Sequence, residues 1–222
     1  MNEQTNQPGE DGRPCSGRSR QRKVVVGLLG GLGAGKTTVG TLLGDLGAEV
    51  ISADRIVHRF LEDPGVRQQI ARVLRCRLPD DGSRLRAYLA ERIFSSEEDR
   101  RAVEAVLHPL VDNVLRKRLA GTKARVVVLD VPLLLEAGMD QYCDLLIFVD
   151  APEQVRRERV AAARSWPHEQ FDARQKAQLS VEEKKQHCDV VIDNSRTLEE
   201  TREQVERLWR KLMRMVRGGH EE

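Results

Sequence analysis

Aromatic residues are scarce: Phe, Trp and Tyr together make up 4% of the 222 residues, which leaves few rings for stacking single-stranded bases. One-sided charge is missing too, because the formal net charge is only +2. The composition therefore carries no electrostatic footprint for general nucleic-acid binding, and no nucleic-acid partner is expected. No apolar run approaches the roughly 20 residues a membrane helix needs, and no signal-peptide core precedes the first apolar strand. A cytoplasmic protein with no membrane partner is the expectation. Cys15, Cys76, Cys143 and Cys188 are scattered without a C-x-x-C pair, a pattern that fits free thiols in a reducing compartment better than a disulfide framework or a zinc site. There is no internal repeat and no guanine-selective N-K-x-D, since the only Asn beyond residue 113 is Asn194. What remains is an ordinary globular composition, 40% hydrophobic and 32% charged, long enough for one substantial core with small appended subdomains.

Residues 1–22 are rich in Gln, Gly, Pro, Ser and Arg and have almost nothing apolar to bury, so they read as a disordered extension ahead of a domain at 23–222. Arg18, Arg20, Arg22 and Lys23 at its basic end read as a solvated tail rather than an RNA contact. The chain is organised around 24–38, VVVGLLGGLGAGKTT. Gly30, Gly35, Lys36 and Thr37 satisfy G-x-x-x-x-G-K-[ST], with an apolar strand before them and helical spacing over 37–46 after them. Glycines let main-chain amides curl around phosphates, and the helix beginning near Gly35 directs its positive end at them. Lys36 then reaches the terminal phosphates and the Thr37 hydroxyl holds Mg²⁺.

A second strand at 49–53 delivers Asp54 at its carboxyl end, the edge where ligands sit in open parallel sheets. Asp54 is either an acid/base group or the N-cap of a helix over 55–61; its position favours the first. Helices are expected over 64–78 and 85–94, then over 96–107 and 110–119 with a break at His108-Pro109. A histidine at such a break is more commonly a cap or a packed group than a substrate contact. Residues 125–131 form a buried strand carrying Asp130, a natural partner for the Mg²⁺ shell. Strands at 145–150 and 190–193 complete an alternation that argues for a parallel sheet covered on both faces. Between them 153–187 is polar, helical and studded with Arg156, Arg157, Arg159, Arg164 and Arg174. An arm of this kind could bring cations to a transferring phosphoryl group. An amphipathic helix over 198–215 packs Val205, Leu208, Trp209, Leu212 and Met215 along one side.

Several stretches in order resemble the dephospho-coenzyme A kinase family: GLLGGLGAGKTT, GAEVISAD ending at Asp54, RAVEAVLHP, LDVPLLLEAG, DARQKAQ, Glu182-Glu183-Lys184 and DVVIDNS. The resemblance implies an α/β, three-layer P-loop NTPase fold: a parallel sheet flanked by helices, with a helical acceptor-binding insertion at about 60–120 and a helical lid at about 153–187. It also implies transfer of the γ-phosphoryl group of ATP to the ribose 3′-hydroxyl of dephospho-coenzyme A, with Mg²⁺. On this resemblance Gly31, Leu32, Gly33, Ala34, Gly35, Lys36, Thr37 and Thr38 hold the ATP phosphates and Asn194 receives the adenine. Asp54 accepts the hydroxyl proton, His108 and Arg86 lie on the acceptor side, and Arg159 and Arg164 are lid arginines acting with Lys36. Three departures stand out: Arg84-Leu85-Arg86 where the family reads Leu-Asp-Arg, Leu135 for Phe, and Arg156 for Gln. All are expected to lie away from the phosphate machinery. The partners implied are the two small substrates, with a monomer favoured. A nucleoside or nucleotide kinase of the same fold is the nearest alternative reading, and a nucleotide-switch binding protein a more distant one.

Overall fold

The computed structural model describes residues 22–164, 171–173, 175 and 178–218, without the side chain of Arg164. The expected disordered tail and Arg174 lie outside the described residues. A parallel five-stranded sheet in the order β2-β3-β1-β4-β5 forms the centre, with β1 Val24–Leu29, β2 Glu49–Ser52, β3 Val126–Asp130, β4 Leu145–Asp150 and β5 Val190–Asp193. β1 is buried at all six positions because it pairs with β3 on one side and β4 on the other. A strand buried on both faces needs an unbroken apolar run, and VVVGLL supplies one.

The alternation of side chains along the strands divides the core into two layers. Val24, Val26 and Leu28 pack with α1 (Lys36–Asp45) and the C-terminal helix Leu198–Arg217 through Val39, Leu43, Val205 and Leu212. Val25, Leu29, Val127 and Leu129 pack on the opposite face with Ile56 of α2 (Ala53–Phe60) and with Val111 and Leu115 of a long helix, Glu97–Gly121. Helices α3 (Pro64–Val73) and α4 (Gly82–Ser95) enclose a third core with the first half of that long helix, α5, through Ile70, Leu85, Leu89, Val103 and Leu107.

Two expectations are corrected here. The break at His108-Pro109 does not occur: α5 runs unbroken through Pro109. An internal proline costs a helix about 3 kcal/mol. Val103, Leu107, Val111 and Leu115 repeat every fourth residue and are buried in two different cores, at about 1.5–3 kcal/mol for each side chain. Bending at Pro109 would pull one core or the other apart, so packing outweighs the local preference. The helix expected over 64–78 stops at Val73. Arg75 adopts φ 49, a left-handed turn of the kind that ends helices, and the Cys76 amide donates back to the Ala71 carbonyl at 3.1 Å. Between β4 and β5, where a lid is expected, lie α6 (Glu153–Arg164) and α7 (Val181–Gln186). The C-terminal helix is α8.

Candidate active site

The turn after β1 lies at the carboxyl edge of the sheet, where the chain order reverses between strands on either side of β1. Gly35 occupies the N-cap of α1 at φ 94, provides no side-chain acceptor, and is followed by no acidic residue in the first turn. The leading amides of α1 are therefore left for an anion. A Cβ on Gly35 would lie 2.1 Å from the Asn194 amide nitrogen, so only glycine fits there. The Lys36 ammonium donates to the carbonyls of Gly30 at 2.9 Å and Gly31 at 3.2 Å, folding back over the turn. Burial lowers its pKa to about 8, assisted by the charge of Lys184 and opposed by Asp130 and Asp54.

Thr37, Asp130 and Asp54 surround that ammonium. The Thr37 hydroxyl donates to an Asp130 carboxylate oxygen at 3.3 Å. Asp130 closes β3, and burial raises its pKa; Lys36 opposes that shift, and Asp54 adds to it through charge repulsion. Asp54 is thus close enough for its charge to be felt by both groups. It is the second residue of α2 and is exposed. The alternative reading of Asp54 as a helix cap is overturned, because the cap is Ser52, whose hydroxyl accepts from the Arg55 amide at 3.4 Å. Among the described residues no cluster of three or more His, Cys, Asp or Glu could hold a metal. The hard oxygens of Thr37 and Asp130 suit a hydrated divalent ion completed by phosphates.

Asn194, expected at the adenine, is buried and its side chain has another use. Its amide donates to the Ala34 carbonyl at 2.7 Å and its oxygen accepts from Thr201 at 2.9 Å, so it braces the turn from behind. Arg159 lies on α6 with Nη1 buried and lacking a hydrogen-bond partner among the described residues. Such an orphaned donor fits an anion as its acceptor. Arg164 ends α6, and its side chain lies outside the description. His108, exposed on α5, opens on a cavity of about 260 Å³ with Asp112, Arg116, Met139, Gln141 and Tyr142. Arg86 is exposed on α4 and does not line it.

Of the three departures, Leu85 is fully buried in the α3–α4–α5 core and Leu135 packs at the edge of the sheet core. Arg156 overturns the expectation that none touches the phosphate machinery: its guanidinium donates to the Leu32 carbonyl at 3.3 Å. Sequence reasoning also missed Lys184, which is 3% exposed in its side chain, pairs with Glu136 at 3.0 Å and fastens α7 to the segment after β3. The available signal was a lysine in an otherwise solvated helix of 6 residues. The hydroxyl of Tyr142 donates to Asp112 at 2.6 Å, and Arg116 lies against both; no local pattern marked that trio.

Comparison with known proteins identifies the family. The family model described as dephospho-CoA kinase matches residues 24–200. A dephospho-CoA kinase of Syntrophotalea carbinolica is 36% identical over 201 residues, covering 88% of this chain and 95% of its own. The crystal structure of TT1252 from Thermus thermophilus superposes with TM-score 0.74 at 31% identity, covering 86% of this chain and 98% of its own. A dephospho-CoA kinase from Campylobacter jejuni shares the fold at TM-score 0.61 and 22% identity, over 87% of this chain and 98% of its own. The three-layer P-loop fold and the sequence matches lead to one assignment: the chain belongs to the dephospho-CoA kinase family.

Proposed function

We propose that the protein transfers the γ-phosphoryl group of ATP to the ribose 3′-hydroxyl of dephospho-coenzyme A, releasing ADP and coenzyme A. The observation that carries this reading is the meeting of Lys36, Thr37, Asp130 and Asp54 around the uncapped start of α1. The bond from the 3′-oxygen to phosphorus forms as the bond from phosphorus to the ADP oxygen breaks. Asp54 holds the hydroxyl in line and takes its proton, which then passes to solvent. Lys36 leaves the carbonyls of Gly30 and Gly31 and meets the terminal phosphates. The amides of residues 31–38 hold the remaining phosphate oxygens. Arg159 neutralises charge spreading over the transferring group, a role its unpartnered nitrogen supports, and Arg164 is assigned beside it. Thr37 and Asp130 would hold Mg²⁺, which neutralises phosphate charge when bound.

His108 and Arg86 belong to the acceptor side of this scheme, and the cavity at His108 supports the first of these. The Asn194 side chain positions the loop, so adenine is left to the backbone around it. No helix among the described residues is long and apolar enough to cross a membrane. A monomer acting on diffusible substrates in the cytoplasm is the setting that follows from this reading.

The test is mass analysis of products after incubation with MgATP and dephospho-coenzyme A, a nucleoside monophosphate panel, or no acceptor. Turnover only with dephospho-coenzyme A, blocked when its 3′-hydroxyl is absent, is the expected result. Phosphorylation of a nucleotide instead would overturn the acceptor assignment. Asp54→Asn should lower kcat by about 100-fold or more while leaving ATP affinity within about threefold. Unchanged kcat would remove Asp54 from the chemistry.

A further inference from the structure

Four carbonyls of the phosphate-binding turn are held by side chains. Lys36 takes those of Gly30 and Gly31, Asn194 takes that of Ala34, and Arg156 takes that of Leu32. A trans peptide is planar, with its N–H directed opposite to its C=O. Holding the Leu32 carbonyl therefore aims the Gly33 amide away from Arg156, and holding the Ala34 carbonyl aims the Gly35 amide away from Asn194. Lys36 must leave its carbonyls to serve a nucleotide, whereas Arg156 and Asn194 are buried and can remain.

Arg156 is 4% exposed. Its Nε donates to the Ala151 carbonyl at 3.1 Å, and Nη1 is shared between the Leu32 carbonyl and the Gln175 side-chain oxygen at 2.8 Å. A Cβ on Gly31 would fall 2.5 Å from Nη1, and one on Gly33 would fall 2.6 Å from the Arg156 carbonyl oxygen. The turn thus rests directly on α6 with no space for side chains between them. The same guanidinium lies 5.8 Å from the ring centre of Phe171, and Arg157 lies 4.6 Å from it. Arg157 also pairs with Asp172 and with Glu153.

We propose that Arg156 is a positioning residue for nucleotide binding. Its guanidinium fixes the 32–33 peptide with its amide facing the phosphates, places a buried positive charge behind them, and couples that geometry to residue 175. A glutamine at this position would offer one short donor group in place of a charged fork and could reproduce only part of the arrangement. The proposal rests on the assignment of the turn to ATP phosphates and is independent of which acceptor is used.

The experiment measures MgATP affinity by titration calorimetry without acceptor, together with melting temperature, for wild type, Arg156→Met, Arg156→Gln and Gln175→Leu. Arg156→Met keeps the apolar stem and should weaken ATP by about tenfold or more, with Arg156→Gln between it and wild type. Gln175→Leu, which cuts the bonds of residue 175 to Arg156 and Glu153 and leaves the Leu32 contact in place, should weaken ATP by about two- to threefold. In steady state the loss should appear in the KM for ATP, with the acceptor KM unchanged. Wild-type ATP affinity in Arg156→Met, even with a lowered melting temperature, would overturn the proposal. So would an equal loss of ATP and acceptor affinity, the mark of general disruption. Should Arg156→Met fail to fold, the Arg156→Gln and Gln175→Leu affinities decide in the same sense. Wild-type ATP binding without dephospho-coenzyme A turnover would refute the function proposed above and leave this test standing.

Discussion

Helix α1 and helix α5 begin in opposite ways. α5 starts at Ser96, whose hydroxyl accepts from the Asp99 amide at 3.1 Å, with Glu97, Glu98 and Asp99 adding negative charge in its first turn. α1 starts at Gly35 with no side-chain acceptor and no acidic residue. Caps of the α5 kind recur at α2, α3, α4, α7 and α8, supplied by Ser52, Asp63, Asp81, Ser180 and Thr197. At these six helix starts the sequence fills open amides from within. At α1 those amides are left for a ligand, and the region around them accepts costs that the rest of the chain avoids. A lysine is held where burial opposes its charge, and a carboxylate is held where burial opposes its own.

Forcing a side chain into the α1 start should have the largest effect. Gly35→Ala must strain a residue at φ 94 and displace the Asn194 amide from 2.1 Å, so ATP affinity measured by calorimetry should fall by at least about 100-fold. A change of less than about threefold would show that the turn does not need that shape. The second test uses the lysine. With its pKa lowered to about 8 by burial, Lys36 in the empty protein is charged below that pH and loses its proton above it. ATP affinity should be flat up to about pH 8 and then weaken by up to about tenfold per pH unit, until the value the lysine reaches with phosphate bound. The sign for stability is opposite. Between pH 8 and 10.5 the unfolded lysine binds more protons than the folded one, so this group's contribution to stability rises with pH there. An ATP affinity independent of pH from 7 to 10 would contradict the assignment. The smallest effect belongs to the contrasting helix. Ser96→Ala should cost about 1 kcal/mol and about 2–4 °C in Tm, with ATP affinity unchanged. Loss of ATP affinity there would erase the distinction between the two helix starts.

The same contrast explains what could be read in advance. The phosphate turn, β4 and β5 are encoded within a few consecutive residues, by glycine spacing and by short apolar runs, and they match the structure closely. Asp130 closes β3 and Asp54 falls two residues past the end of β2, in the first turn of α2, so both lie at the carboxyl edge where the sequence put them. Arg156 was misread because its partner, Leu32, lies 124 residues away in sequence, and the bracing contact of the Asn194 side chain was missed because Ala34 lies 160 residues away; no local pattern records such contacts. Pro109 was misread for a related reason: its local preference is overridden by α5 burying side chains in two cores at once. The α3–α4–α5 core was legible as helices, but no local pattern marked the cavity beside His108, and exposed Arg86 does not line it.

Amide chemical-shift mapping during titration with MgATP tests the central claim most directly. Shifts should be largest at the backbone amides of residues 31–38, with those of residues 97–99 at the capped start of α5 unmoved. Saturable binding that leaves 31–38 unperturbed, or shifts centred elsewhere on the sheet edge, would contradict the account.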